Sequence, residues 1–151
     1  MSLTPRLPYF QLAPKALQGL IDLSVIVRKG SLDSRLLELV SLRVSQINGC
    51  AWCVDAHWSD LVRQGLDVRH INAVAAWREA PFFSAGERAA LGWAEAVTGI
   101  PRIDPFEAEF DALKATFDDA QIAELGFAIA TFNAWNLLNV SFRNPIPEKA
   151  A

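Results

Sequence analysis

Much of what usually announces a function is missing from this chain. Its 151 residues include two cysteines, two histidines, one methionine and one tyrosine. Lys and Arg are scattered and the net charge is −3, so no basic patch is on offer to a phosphate backbone, which argues against nucleic acid as a partner. Just over half the residues are apolar, yet no uninterrupted apolar run approaches the ~18 residues of a membrane span. The first ten residues hold no apolar segment behind a basic one, so no secretory leader is expected. The expectation is therefore a soluble, cytoplasmic protein in a reducing compartment. There is no glycine-rich phosphate loop and no dinucleotide fingerprint, so no bound cofactor is expected. There is no internal repeat, and no strand-length stretch alternates between turn residues.

What the chain does contain is helix punctuation. Pro14 opens a segment with Leu17, Leu20, Ile21 and Val25 at helical spacing, closed by Gly30. Ser31 or Asp33 starts a second helix, striped by Leu36, Leu37, Val40, Val44 and Ile47 and broken at Asn48-Gly49. A third runs from about Cys50 to Gly65, and a short fourth from after Asp67 to before Pro81. Reciprocal capping patterns open two more, at Ser84–Glu87 and Asp104–Glu107. The last and longest helix starts at Asp118 or Asp119 and reaches about Arg143, ahead of Asn144-Pro145. The chain reads as all-α, a single domain over residues 1–151 with short loops.

The last helix is apolar nearly all round, with Phe127, Ala134, Leu137 and Leu138 lying away from the Ile122, Leu125, Ile129 and Phe132 side. So small a domain rarely surrounds a long helix, so part of that surface is expected to pack on another copy. Asn133, Asn136 and Asn139 recur there every third residue, placed either to bond across an interface or to face solvent.

The cysteines lie three residues apart. A disulfide between them closes almost no loop and removes little unfolded-state entropy, so a staple is a poor explanation and redox or metal chemistry a better one. Cys50 directly follows Asn48-Gly49, at the start of the third helix, where unpaired backbone N–H groups and the helix dipole favour a thiolate. Cys53 lies one turn deeper on the same face, close enough for dithiol–disulfide exchange. His57 lies one further turn along that stripe, placed to take a thiol proton. Glu38 interrupts the apolar run Leu36–Val40. If the second and third helices fold back on each other at Asn48-Gly49, Glu38 comes level with His57 and can orient it.

Other uses of these residues fit less well. After Cys50, Cys53 and His57, zinc has only His70 left as a fourth histidine or cysteine ligand, at a spacing no common finger uses, so no metal site is expected. Covalent haem needs histidine where Val54 stands. A thioredoxin-type CxxC follows a strand, whereas a helical pattern precedes this one.

The pattern of Glu38, Cys50, Cys53 and His57, Glu-x11-Cys-x2-Cys-x3-His, resembles the core motif of the AhpD-like alkylhydroperoxidases of the carboxymuconolactone decarboxylase superfamily. The resemblance implies an all-α bundle with the CxxC at the N-terminus of a helix in an antiparallel helical hairpin, and homo-oligomers, trimeric or hexameric. It implies thiol-dependent reduction of alkyl hydroperoxides: Cys53 attacks the peroxide after deprotonation through His57 and Glu38, Cys50 resolves the sulfenic acid, and a dithiol partner reduces the disulfide. Here the resemblance and the dipole differ, because the helix N-terminus favours Cys50 as the more acidic thiol. Well-known members carry a second histidine where this chain has Trp52. Trp52 and Trp58 are candidates either to wall a pocket for an organic hydroperoxide or simply to pack. Acid–base chemistry of the decarboxylase type and a non-catalytic disulfide sensor are the alternative functions.

Overall fold

The computed structural model describes residues 4–99 and 106–147. Eight α-helices lie among the described residues, with no strand: α1 (Tyr9–Leu12), α2 (Pro14–Arg28), α3 (Ser34–Asn48), α4 (Ala51–Arg63), α5 (Val68–Asn72), α6 (Ala85–Val97), α7 (Glu107–Lys114) and α8 (Asp119–Phe142). A 3₁₀ turn over Ala73–Ala76 follows α5. The expected all-α architecture is the one observed.

Local chemistry sets most of the boundaries. Pro14 occupies the first turn of α2, where its missing N–H has no cost. The Asp33 carboxylate accepts from the backbone N–H of Leu36 and starts α3. Gly49 ends α3 at φ +66°, a left-handed conformation that a side chain resists. Ser84 with Glu87, and Asp118 with Gln121, form reciprocal capping boxes at the starts of α6 and α8. The box expected at Asp104–Glu107 begins outside the described residues, and α7 is entered through Phe106.

Two expectations are corrected. The four-residue α1 ahead of Pro14 was not foreseen. The fourth helix is not continuous to Pro81: α5 gives way to the tighter turn, which lets Ile71, Val74 and Trp77 all enter one apolar cluster.

Helix α3 organises the rest. It packs against α4, α6 and α8, and its residues from Leu36 to Leu42 are all buried. One apolar cluster on its flank joins Leu37, Val40 and Val44 to Ala90, Leu113, Leu125 and Phe132. The other joins Leu39 and Leu42 to Leu61, Ile71, Val74 and Leu91. Each fully buried leucine of this kind contributes about 1.5–3 kcal/mol. With both flanks packed, the turn from α3 into α4 is fixed in space, and that turn carries the cysteines.

Among the described residues, no helix is long and apolar enough to cross a membrane.

Candidate functional site

The site grows out of the short Asn48–Cys50 connection between α3 and α4. The three asparagines of α8 neither face solvent nor reach outward; they hold this connection from inside. Asn48 donates its side-chain amide to Asn133 Oδ1 at 2.8 Å and to Asn136 Oδ1 at 3.0 Å. Asn136, itself buried, donates to Ser45 Oγ at 3.1 Å. Asn139 donates to Cys53 Sγ at 3.3 Å. A period of three on one face of α8 thus becomes a ladder along the hairpin turn. Each amide is matched, as burial requires.

Cys50 caps α4, and its sulfur accepts the backbone N–H of Cys53 at 3.3 Å. The two cysteines are disulfide-bonded, with Cα atoms 5.3 Å apart. Both are 1% exposed. They differ in what they face: Cys53 lines a cavity of about 490 Å³, whereas Cys50 does not.

His57 lies one turn beyond Cys53 and lines the same cavity. Its Nδ1 is 2.7 Å from Glu38 Oε2, so that nitrogen carries the proton toward the carboxylate and Nε2 is the one left for exchange. The packing of α4 on α3 brings Glu38 and His57 together. The edge of the Phe132 ring packs on the imidazole, with centroids 6.1 Å apart.

Glu38 is 1% exposed and has a second partner that the sequence reading did not anticipate. Arg28, from the last turn of α2, pairs with its other oxygen. Burial pushes the carboxyl pKa up, but His57 and Arg28, by hydrogen bonding and charge, together outweigh it and hold the group below its ordinary 4.5. The carboxylate is therefore ionised over the working pH range. Arg28 was missed because it lies ten residues away on a different helix, with no local pattern to mark it.

The cavity is walled mainly by Trp52, Trp135, Phe132, Tyr9, Ile21 and Val25. Trp52 therefore lines the cavity, while Trp58 is exposed and is not part of this wall. Trp135 is fixed by its indole N–H, which donates to Ser24 Oγ at 2.8 Å. The polar side chains on its lining include Ser24, Arg28, His57, Asp60, Asn139 and Asn144.

Ligand atoms of Glu38, His57 and Asp60 lie within 4.8 Å of one another. Both Glu38 oxygens and His57 Nδ1 are already engaged, and Asp60 pairs with Arg63. The group thus works as an ion-pair network, and nothing in its bonding calls for a metal. His70, the other histidine, sits on α5 against Phe82 and Phe83, with ring centroids 5.9 and 4.4 Å away.

An all-helical bundle with a vicinal cysteine pair, a histidine one turn on and a buried glutamate behind it defines a class of thiol-bearing helical proteins. The chain belongs to the carboxymuconolactone decarboxylase family, whose model matches residues 13–96. The fold is similar to that of an Agrobacterium tumefaciens protein of unknown function proposed to be the antioxidant defence protein AhpD. That likeness has a TM-score of 0.92 at 37% identity and covers 97% of this chain and 100% of that one. The uncharacterized protein YdfG of Bacillus subtilis is 31% identical over 147 residues, 97% of this chain and 100% of that one. Alkyl hydroperoxide reductase AhpD of Coxiella burnetii is 39% identical over 54 residues, which is 34% of this chain and 30% of that enzyme. The AhpD-like assignment made from the motif stands.

Proposed function

We propose that this protein reduces organic hydroperoxides with its cysteine pair. The observation that carries this reading is that Cys53 and His57 line one aromatic-walled cavity while Glu38 holds the imidazole from behind. His57, oriented through Nδ1, accepts the Cys53 thiol proton at Nε2. The Cys53 thiolate attacks one peroxide oxygen and the O–O bond breaks. Cys53 becomes a sulfenic acid, and the leaving alkoxide takes the proton from His57 and departs as the alcohol. The Cys50 thiol then attacks the Cys53 sulfur, water leaves, and the Cys50–Cys53 disulfide forms. An external dithiol returns both cysteines to thiols and is itself oxidised to a disulfide. The sulfur pair supplies both electrons, so the scheme needs no bound cofactor or metal.

Several features support Cys53 as the attacking sulfur over Cys50. The helix N-terminus favours Cys50, through the N–H it receives from Cys53. Against that, only Cys53 reaches the cavity and only Cys53 is one turn from His57. Access decides, because a thiolate that substrate cannot reach does not react. The exposed apolar face of α8 supports self-association, and the family resemblance implies a trimer or hexamer.

The test is tert-butyl hydroperoxide consumption by the pre-reduced protein, with free thiols counted before and after, alongside Cys53→Ser. The expected result is the loss of two thiols per chain with one peroxide consumed, abolished in the variant. Thiols that stay intact under excess peroxide would sink the proposal. Acid–base chemistry by His57 and Glu38, independent of sulfur, would then be the reading to pursue. Its signature is turnover of a lactone or carboxylate substrate that survives Cys→Ser changes and disappears in His57→Ala.

A further inference from the structure

We propose that Asn139 is the residue that holds Cys53 as a thiolate, and that Tyr9 and Asn144 set which end of its amide faces the sulfur. This rests on Cys53 being the reacting sulfur, and it adds a catalytic group and two positioning residues that the motif does not contain.

A side-chain amide offers a donor at one end and an acceptor at the other, and the two ends have opposite effects on a sulfur. At Asn139 the choice is made by the surroundings. Its Oδ1 accepts from Tyr9 Oη at 3.1 Å and from Asn144 Nδ2 at 2.7 Å. Flipping the amide would set its NH₂ group against the Asn144 NH₂, take the acceptor away from the Tyr9 hydroxyl proton and turn its oxygen toward the sulfur. The observed orientation leaves Nδ2 aimed at Cys53 Sγ, 3.3 Å away. Asn139 is 5% exposed, so little water competes for either end.

Both positioning residues are themselves fixed. Asn144 Nδ2 also donates to Tyr9 Oη at 3.2 Å, which closes a three-membered ring of hydrogen bonds. Burial pushes the Tyr9 hydroxyl above its ordinary pKa of 10, partly offset by Asn144, so Tyr9 remains a protonated donor. Arg143 at φ +57° turns the chain back at the end of α8, and the Asn144 backbone N–H bonds to the Asn139 carbonyl at 2.9 Å. Near the start of the described chain, the backbone N–H of Arg6 bonds to the Phe142 carbonyl at 2.9 Å. That bond draws the segment leading to Tyr9 against the end of α8. Two segments 130 to 135 residues apart in sequence therefore meet around one amide.

The physical consequence is a division of donors between the sulfurs. Cys50 draws on a backbone N–H that any helix start provides. Cys53 Sγ draws on a side chain from another helix. A hydrogen bond to the charged form of a group stabilises that form and lowers the pKa. Asn139 thus counters the preference of the helix N-terminus for Cys50 and shifts thiolate character toward the sulfur that lines the cavity.

The experiment measures the Cys53 pKa directly, without reference to peroxide. In a Cys50→Ser background the serine still caps α4, and Cys53 is the only thiol. The pH midpoint of iodoacetamide alkylation, checked against the ultraviolet absorbance of the thiolate, gives its pKa. The plateau rate separately reports access. Asn139→Ala in that background is expected to raise the midpoint by about one unit, the scale of one charge-assisted hydrogen bond. At pH values below the midpoint that is about tenfold slower alkylation. Tyr9→Phe keeps the amide but frees its orientation, and a smaller rise is expected; this variant serves if Asn139→Ala does not fold. Unchanged midpoints in a folded Asn139→Ala or Tyr9→Phe protein would overturn the proposal. If the midpoint shifts as expected while the unmodified protein leaves peroxide untouched, the assignment of Asn139 stands and the peroxidase reading falls.

Discussion

Helices α3 and α8 use polarity in opposite ways. α3 contains Glu38, Ser41, Arg43, Ser45, Gln46 and Asn48, yet it is the helix the fold surrounds, and Glu38, Ser41 and Ser45 are at most 1% exposed. α8 is apolar nearly all round, yet Phe127 is 63% exposed and Leu137 69% exposed. A burial pattern set by hydrophobicity alone would exchange their places. The three buried polar residues of α3 have partners: Glu38 has Arg28 and His57, Ser41 donates to the Leu37 carbonyl, and Ser45 accepts from Asn136. Polar groups inside are costly unless satisfied, and here Glu38 and Ser45 also bond to residues of the site and its turn. The exposed apolar residues of α8 form a single stripe. Ala123, Gly126, Phe127, Ala130, Leu137 and Val140 are exposed with Ala134 half-buried among them, and the 100° step of a helix places them on one side.

The largest effect is expected at Glu38. Replacing Glu38 with Gln keeps the shape but removes the charge that both Arg28 and His57 use. A proton-transfer partner contributes about 10²–10⁴-fold, so kcat/KM for tert-butyl hydroperoxide is expected to fall about 100-fold. The fold should survive, because Arg28 is 42% exposed in its side chain and can return to water. An unchanged kcat/KM would remove Glu38 from the relay and leave it as a buried structural anion. Next in size is packing. Leu42→Ala, in a fully enclosed position of α3, is expected to cost about 2–5 kcal/mol in urea unfolding. The same truncation at Leu137 is expected to stay within about 0.5 kcal/mol for a single chain.

The contrast between the helices also shows what was legible in the sequence. Spacing alone placed Glu38, Cys50, Cys53 and His57 on two adjoining arms, because local helical periodicity and the Asn48-Gly49 break fix that geometry. The capping box at Ser84 and a helix start at Asp118 or Asp119 were legible for the same reason. Arg28, Asn139, Tyr9 and Asn144 were not, since each reaches the site through tertiary packing of helices far apart in sequence. The asparagine period in α8 was visible, but its direction was not. A polar stripe on an apolar helix looks the same whether it faces water, another copy or a buried turn. The break between α5 and the following 3₁₀ turn was missed because Val68, Ile71, Val74 and Ala75 fit a continuous helix equally well.

Titration separates the buried carboxylate of α3 from the buried histidine of α5. Glu38 and Glu95 are both held below their ordinary 4.5; at Glu95 burial raises the pKa, and hydrogen bonds from Arg78, Trp77 and Arg43 outweigh it. Each therefore binds a proton more readily when unfolded. Their stabilising contribution is complete above about pH 4.5 and is lost as pH falls through the folded-state values. His70 is also lowered, from 6.5, chiefly by burial, with Arg35 adding to it and Glu87 and Asp67 opposing. Its contribution is complete above about pH 6.5 and declines below it. Urea midpoints measured across pH should thus fall in two stages on acidification. His70→Leu is expected to flatten the stage just below 6.5, and Glu38→Gln to flatten part of the stage below 4.5. An unaltered first stage in His70→Leu would assign it to another group.

The smallest effect on the fold is expected on the α8 stripe, and there the comparison can be sharpened without disturbing the site. Leu137 is the most exposed of the large apolar side chains on α8, and it takes no part in the lining of the Cys53 cavity. Leu137→Glu places a charge in the middle of the stripe. For an isolated chain that change should alter unfolding by no more than about 0.5 kcal/mol. In an assembly that covers the stripe, the same carboxylate must lose its water without a partner, which opposes association. Sedimentation velocity on the unmodified protein is therefore expected to show a trimer or hexamer, and on Leu137→Glu a smaller species of unchanged helicity. If both proteins sediment alike, α8 keeps its apolar face for something other than a second copy of this chain. The inversion between α3 and α8 would then lack the explanation that self-association gives it.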